Sequence, residues 1–296
     1  MNLATIILFV YNRPWHLQQT LKALKQNTLA EKSELIIYSD GNKDNVDEAD
    51  VLEVRKHIHD IKGFKYLEVI ERERNLGLAS SVIKGVSEVL NTRDKVIVLE
   101  DDVITAHAFL TFMNNALEFY QTDKNIFSVS GYTYPVNIPA SYQEDVFISY
   151  RASSWGWATW KDRWGKADWE VQDFNDFVKD KNAQRLFNRA GEDYTPMLFS
   201  QMGNKIDSWA IRWAYSHFKN NSYCLFPIKP LCKNIGTDSS GTHSATTKKF
   251  DVKLQDVGDQ IKFTRNLEIN EEIMQNIRKF FQPLVFRKIL NTIKGF

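Results

Sequence analysis

Over the first hundred positions, apolar residues fall into short continuous runs, each followed by a polar stretch and then by apolar positions at helical spacing. Residues 6–10 (IILFV) are the first run. With no polar alternation and no helical stripe, such a run predicts a strand covered on both faces. Tyr11-Asn12-Arg13-Pro14 then turns the chain into a helix whose Leu17, Leu21 and Leu24 recur at helical spacing, with Pro14 suited to its first turn. The same unit returns with a strand at 34–38, a surface helix over 47–61, a strand at 66–70, a helix through Leu90 and a strand at 96–99. Four strands alternating with helices predict an α/β fold with a doubly wound, mostly parallel sheet.

Each of these strands ends in polar groups: Asn12 and Arg13, Asp40, Arg74 and Asn75, and then Glu100-Asp101-Asp102. Open α/β sheets take their ligands at that edge, so the convergence predicts a nucleotide crevice. Taken one at a time, Arg13 also fits a surface ion pair, Asp40 a turn and Asn75 a helix cap. Three consecutive carboxylates repel one another unless a cation or charged ligand offsets them. A hard divalent ion bridging phosphates is the simplest such partner, because it favours one or two carboxylates plus phosphate oxygens; an acidic turn in solvent is the alternative. No G-x-G-x-x-G follows the first strand and no G-x-x-x-x-G-K-[ST] occurs anywhere, which argues against a dinucleotide fold and a P-loop NTPase.

The second half is less regular. A helix around 108–121 leads to a strand-like run at 126–131, and residues 132–146, with Pro135 and Pro139, read as a loop over the active edge. Five of the eight tryptophans then fall between Trp155 and Trp169, so the window is either core or a wall for the apolar face of a sugar ring. Gly156 would let backbone approach such a ligand. Residues 170–203 are helical and charged. Asp207, among Ile206, Trp209 and Trp213, is placed to have its carboxyl pKa raised towards that of a general base; it could equally cap the helix starting at Ser208 or pair with Arg212. A strand at 223–227 precedes the Gly-punctuated loop 234–243, whose backbone could fold over phosphates and whose His243 is either an exposed side chain, a metal ligand or a phosphate donor. From Asn270 a helical pattern resumes. Phe286, Ile289, Leu290 and Ile293 form a stripe beside Arg287, Lys288 and Lys294, either for an anionic membrane face or for docking on the domain or a second subunit.

Composition narrows the choice of partner. The 296-residue chain carries 38 basic and 37 acidic residues, so no bulk charge argues for nucleic acid. Two cysteines are too few for a disulfide framework and fit a reduced cytoplasmic compartment. The apolar N-terminal run lacks a basic n-region and a cleavage site, and no apolar stretch reaches the ~18 residues that span a bilayer.

The ordered set FVYNRP, YSDGN, RNLGLA, VLEDDV, SSWGWATW, IDSWAIRW and NIGTDSSGTH resembles GT-A-type nucleotide-sugar glycosyltransferases, and among them the bacterial relatives of N-acetylglucosaminyltransferase I, over roughly residues 3–245. The resemblance implies a glycosyltransferase domain over 1–250, with a nucleotide-binding half (1–104) and an acceptor half (105–250), followed by a helical tail over 251–296 that could touch a membrane. It implies that Tyr11, Arg13, Asp40, Asn75 and Asp101 contact the nucleotide and that Asp102 binds Mn2+ or Mg2+ on the diphosphate. Glu100, Trp155, Gly156, Trp157 and Trp209 then face sugar or acceptor, and a carboxylate near Trp209 acts as base in an inverting transfer to a glycan or lipid-linked glycan, as in bacterial surface polysaccharide synthesis. His243 matches a histidine of the closing loop, in a metal or phosphate role. The relatives read W-D-D-W with the base at the second Asp, where this chain has Ser208, so either Asp207 takes over or the base lies at Glu100, Asp101 or Asp238. A sugar-1-phosphate nucleotidyltransferase would need a Gly-rich, basic loop after the first strand, which YNRPWH is not. A non-catalytic sugar- or nucleotide-binding module is the third class; the intact E-D-D opposes it and Ser208 favours it.

Overall fold

The computed structural model describes residues 2–43, 46–238, 246–257 and 260–282. β1 (Thr5–Val10), α1 (Pro14–Lys25), β2 (Glu34–Ser39), α2 (Glu48–His59), β3 (Tyr66–Glu71), α3 (Leu78–Thr92) and β4 (Lys95–Glu100) form the alternating first half. β1 pairs in parallel with β2 and with β4, and β2 with β3. The unbroken apolar run of β1 follows from double coverage. Ile6, Leu8 and Val10 join Leu17, Leu21 and Leu24 of α1 and Val54 and Ile58 of α2, whereas Ile7 and Phe9 face Val82, Val86 and Val89 of α3. β4 obeys the same alternation, Ile97 and Leu99 to the first side and Val96 and Val98 to the second.

The second half extends that sheet. β5 (Val103–Thr105), α4 (Phe109–Phe119), β6 (Ile126–Ser130), β7 (Val146–Ser149), β8 (Trp157–Trp160), α5 (Lys161–Trp164), α6 (Phe174–Lys179), α7 (Lys181–Phe187), α8 (Tyr194–Met202), α9 (Trp209–Lys219), β9 (Tyr223–Pro227), β10 (Cys232–Asn234) and α10 (Glu271–Phe280) follow in order. The eight-stranded sheet runs β3-β2-β1-β4-β8-β6-β9-β7. β8 is antiparallel to both β4 and β6, and β7 to β9; the other six strands share one direction. The expected mostly parallel α/β sheet is therefore present, with two antiparallel strands, β7 at the end of the stretch read as a loop and β8 in the window read as core or ligand wall.

Two further features differ from the sequence reading. β5 and β10 form an antiparallel ribbon of their own, Asn234 opposite Val103. α6, α7, α8 and α9 build a separate apolar cluster from Phe177, Phe187, Leu198, Ile211 and Tyr215, which accounts for the charged helical stretch. The apolar stripe of α10 (Ile273, Met274, Ile277) is buried in the main core, so this part of the tail docks on the domain and is not free for a membrane. The stripe from Phe286 to Ile293 lies outside the described residues. Among the described residues no helix is long and apolar enough to cross a membrane.

Candidate active site

Four strand ends meet at the C-terminal edge of β1 to β4. The loops after β2 and β3 are bolted to each other: Asp40 accepts hydrogen bonds from the Leu76 N–H at 3.0 and 3.1 Å, and Asn75 Nδ2 donates to the Gly41 carbonyl at 3.0 Å. A side chain on Gly41 would strike the Arg74 backbone at 2.7 Å, so this close approach needs glycine. Burial raises the Asp40 pKa, and the Leu76 N–H and Arg72 partly offset it. Asn75 Oδ1 also accepts from Gly77 N–H at 3.0 Å, and Gly77 has φ +77°, a left-handed entry to α3. Asp40 and Asn75 thus shape the rim of the crevice. Tyr11 donates its hydroxyl to Asp47, a partner the sequence reading did not single out.

The carboxylate trio lies deeper. Asp101 and Asp102 are 3% and 6% exposed, and one guanidinium nitrogen, Arg13 Nη2, reaches both, at 2.9 Å from Asp102 Oδ2. The Tyr11 N–H points at Asp101 Oδ2 from 3.4 Å, and the Asp101 carbonyl accepts from Thr20 Oγ1 at 2.8 Å. Burial raises the pKa values of Glu100 and Asp101; for Glu100 the charge of Asp102 adds to it, and for Asp101 Arg13 opposes it. Asp102 Oδ1 is buried and has no hydrogen-bond partner among the described residues. An acidic turn in solvent is thereby ruled out.

The β5–β10 ribbon closes this corner. It carries Ile235, whose N–H donates to the Asp102 carbonyl at 2.8 Å, and Gly236, whose missing Cβ would collide with Asp102 Oδ2 and lie 2.7 Å from Arg13 Nη1. Two residues on, Asp238 Oδ2 sits 3.0 Å from His16 Nε2. Neither strand of the ribbon exceeds three residues, which is too short for a period-two signal; only the loop's glycines hinted at a cover. His243 lies outside the described residues. Among the described residues, no three His, Cys, Asp or Glu side chains are grouped to hold a metal.

The tryptophan window resolves mostly towards core. Trp157 is 0% exposed and stacks on Trp209 at 5.0 Å and on Trp164 at 5.6 Å, with Trp213 beside them. Trp157 and Trp209 therefore line no open pocket; they pack β8 and α9 onto α3. Gly156 is buried at φ +53°, and a Cβ there would meet Cys232 Sγ at 2.7 Å, so its small size serves the ribbon and not a ligand. Trp155 and Trp169 stay half-buried, the Trp155 ring edge-on to Tyr132 and Phe250 and the Trp169 ring against Trp164. Asp207 is exposed rather than enclosed by apolar groups, makes no ion pair among the described residues, and leaves the capping of α9 to Ser208, whose Oγ accepts from Ile211 N–H at 3.3 Å. Its Oδ2 would lie 3.2 Å from a Cβ on Gly77, at the mouth of the same crevice.

Buried acids and a guanidinium thus stand at the ends of parallel strands, the edge where open α/β sheets take their ligands. The chain belongs to glycosyl transferase family 2, whose model matches residues 5–160, from β1 through β8. None of the curated proteins compared with it matches. Solved structures similar to it include the mannosyltransferase PcManGT from Pyrobaculum calidifontis in complex with GDP-Man and Mn2+ (16% identity, TM-score 0.32, covering 44% of this chain and 36% of that one). GalNAc-T7 with UDP, GalNAc and Mn2+ shares 12% identity at TM-score 0.48 over 78% of this chain and 43% of its own. S. aureus TarS shares 11% at TM-score 0.44, over 79% and 37%. The chain thus spans less than half the length of each of these proteins.

Proposed function

We propose that the chain moves a sugar from a nucleoside-diphosphate donor to a hydroxyl of a glycan or lipid-linked glycan acceptor, with inversion and with the help of a divalent cation. The observation that carries the cation is Asp102 Oδ1, a buried carboxylate oxygen with no partner among the described residues, at the strand edge where the family match lies. One carboxylate plus donor phosphates suits Mn2+ or Mg2+, so the residues fit the ion, with Asp102 as its protein ligand. When bound, the ion would supply Lewis-acid stabilisation of the departing diphosphate.

The chain's own groups do the rest of the work. Arg13 offers its guanidinium fork to phosphate oxygens, and the rim built by Asp40, Asn75 and Tyr11 receives base and ribose. Trp155, half-buried beside Gly156, offers its ring to a sugar. Asp207, at the crevice mouth, takes the proton of the acceptor hydroxyl as that oxygen bonds to the anomeric carbon and the bond to the diphosphate breaks. Ser208 occupies the place where the resembled relatives carry their base, and it is engaged as a cap, which leaves Asp207 as the adjacent carboxylate. The preference for a UDP-sugar, and the assignment to surface polysaccharide synthesis, come from the resemblance.

The test is donor turnover with Mn2+ across UDP-, GDP- and dTDP-sugars, for the wild type and for Asp102→Asn. One donor should be turned over by the wild type, and the Asp102→Asn rate should fall by about 10²-fold or more, as for loss of a charge-stabilising group. Equal rates would overturn the assignment of the cation to Asp102.

A further inference from the structure

We propose that Arg13 is the resident counter-ion of the carboxylate corner and that it changes partners when donor and cation arrive together. This rests on the donor reading above. One nitrogen, Nη2, serves both Asp101 and Asp102, and the three side chains are 16%, 4% and 8% exposed. Two buried carboxylates so close together need a positive charge, and neither forms another ion pair among the described residues. Gly236 lies over the bridge with no room for a side chain.

The arrangement has a consequence for the order of binding. A divalent cation arriving alone meets a corner that is already partly neutralised, and must approach the guanidinium's charge to reach Asp102. A cation carrying a nucleoside diphosphate brings its own anion. Arg13 can then release Asp102 to the cation and turn its fork to a phosphate oxygen, a geometry that suits guanidinium better than a point charge, while Asp101 keeps its bond. The orphan Oδ1 of Asp102 is the atom that gains a partner in this exchange. Arg13 accordingly acts against the free cation and in favour of the cation–diphosphate pair.

The experiment reads both halves by titrating Mn2+ alone, followed by electron paramagnetic resonance, and then UDP, GDP and dTDP at saturating Mn2+. In Arg13→Met, binding of Mn2+ alone should tighten about tenfold or more over wild type, while the nucleotide that wild type binds should weaken by a similar factor. A residue that merely supports the fold would weaken both. Arg13→Lys keeps a charge but reaches one carboxylate at a time, and it carries the test if circular dichroism shows Arg13→Met unfolded; it should shift both affinities in the same opposed directions, by less. Mn2+ affinity unchanged or weakened in a folded variant overturns the exchange and leaves the donor site standing. A wild type that binds none of the three nucleotides with Mn2+ overturns the donor reading, and the exchange with it.

Discussion

At the scale of single residues, the site shows how polar side chains divide between building a pocket and acting in it. Asn75 uses both ends of its amide within the rim, and Asp40 is saturated by backbone N–H groups. Asp207 is different, being exposed, with neither a cap nor an ion pair to make among the described residues. Replacing it with Asn should therefore leave stability unchanged and reduce kcat by about 10²–10⁴-fold, the contribution of a positioned general base, with donor KM little altered. Initial-rate kinetics on whichever donor of the UDP-, GDP- and dTDP-sugar panel the wild type turns over decide this, and near-normal kcat would shift the base to Glu100, Asp101 or Asp238. His217 makes the opposite case of a titratable group held silent. It is 0% exposed, its Nε2 lies 3.2 Å from Ser128 Oγ, its Nδ1 has no partner among the described residues, and burial pushes its pKa down to about 3. The unfolded chain takes up the proton near pH ~6.5, so the stability due to neutral His217 is complete above that pH and is lost as pH falls towards 3. Urea midpoints should drop across pH 6.5 to 4 more steeply for wild type than for His217→Phe; parallel curves would refute the assignment.

At the scale of elements, the first half of the chain was legible because β1, β2 and β4 hold continuous apolar runs that end in polar groups, and β3 is interrupted only by Glu68. The boundaries of β1 to β4 follow the runs to within a residue. β8 was not legible, because Trp157, Ala158, Thr159 and Trp160 carry no alternation, and a cluster of indoles beside a glycine reads as well for a sugar wall as for a core. Its partners settle the matter: Val98 and Ser130 flank Trp157 on either side, so the residue lies in mid-sheet with its ring under α9. Trp157→Ala should accordingly cost ~3–5 kcal/mol of stability, the range for removing a large buried aromatic side chain, and should leave the donor KM of the folded fraction near wild type. Chemical denaturation checks the first and kinetics at low temperature the second; a KM effect without loss of stability would restore Trp157 to the pocket. The crevice was half legible for a related reason. Strand ends announce themselves locally, whereas the cover over Asp102 is made by a pairing between residues far apart in the chain.

At the scale of the whole molecule, one sheet and one main core join both halves. Ile6 and Leu8 of β1 share an apolar cluster with Phe226 of β9 and Ile277 of α10. The family match ends at Trp160, and β9, which lies beyond it in the chain, is inserted between β6 and β7 in the same sheet. The β5–β10 ribbon sets a further condition on how the protein comes into being. Residues 103–105 wait for 232–234 before the carboxylate corner has its cover. During synthesis, which proceeds from the N-terminus, β1 to β4 can form early, yet the corner stays uncovered until most of the chain has emerged. A nascent chain halted after Thr105 would expose its acids to water and hold Arg13 loosely, so the ability to take a donor should arise late and abruptly as translation passes Gly236.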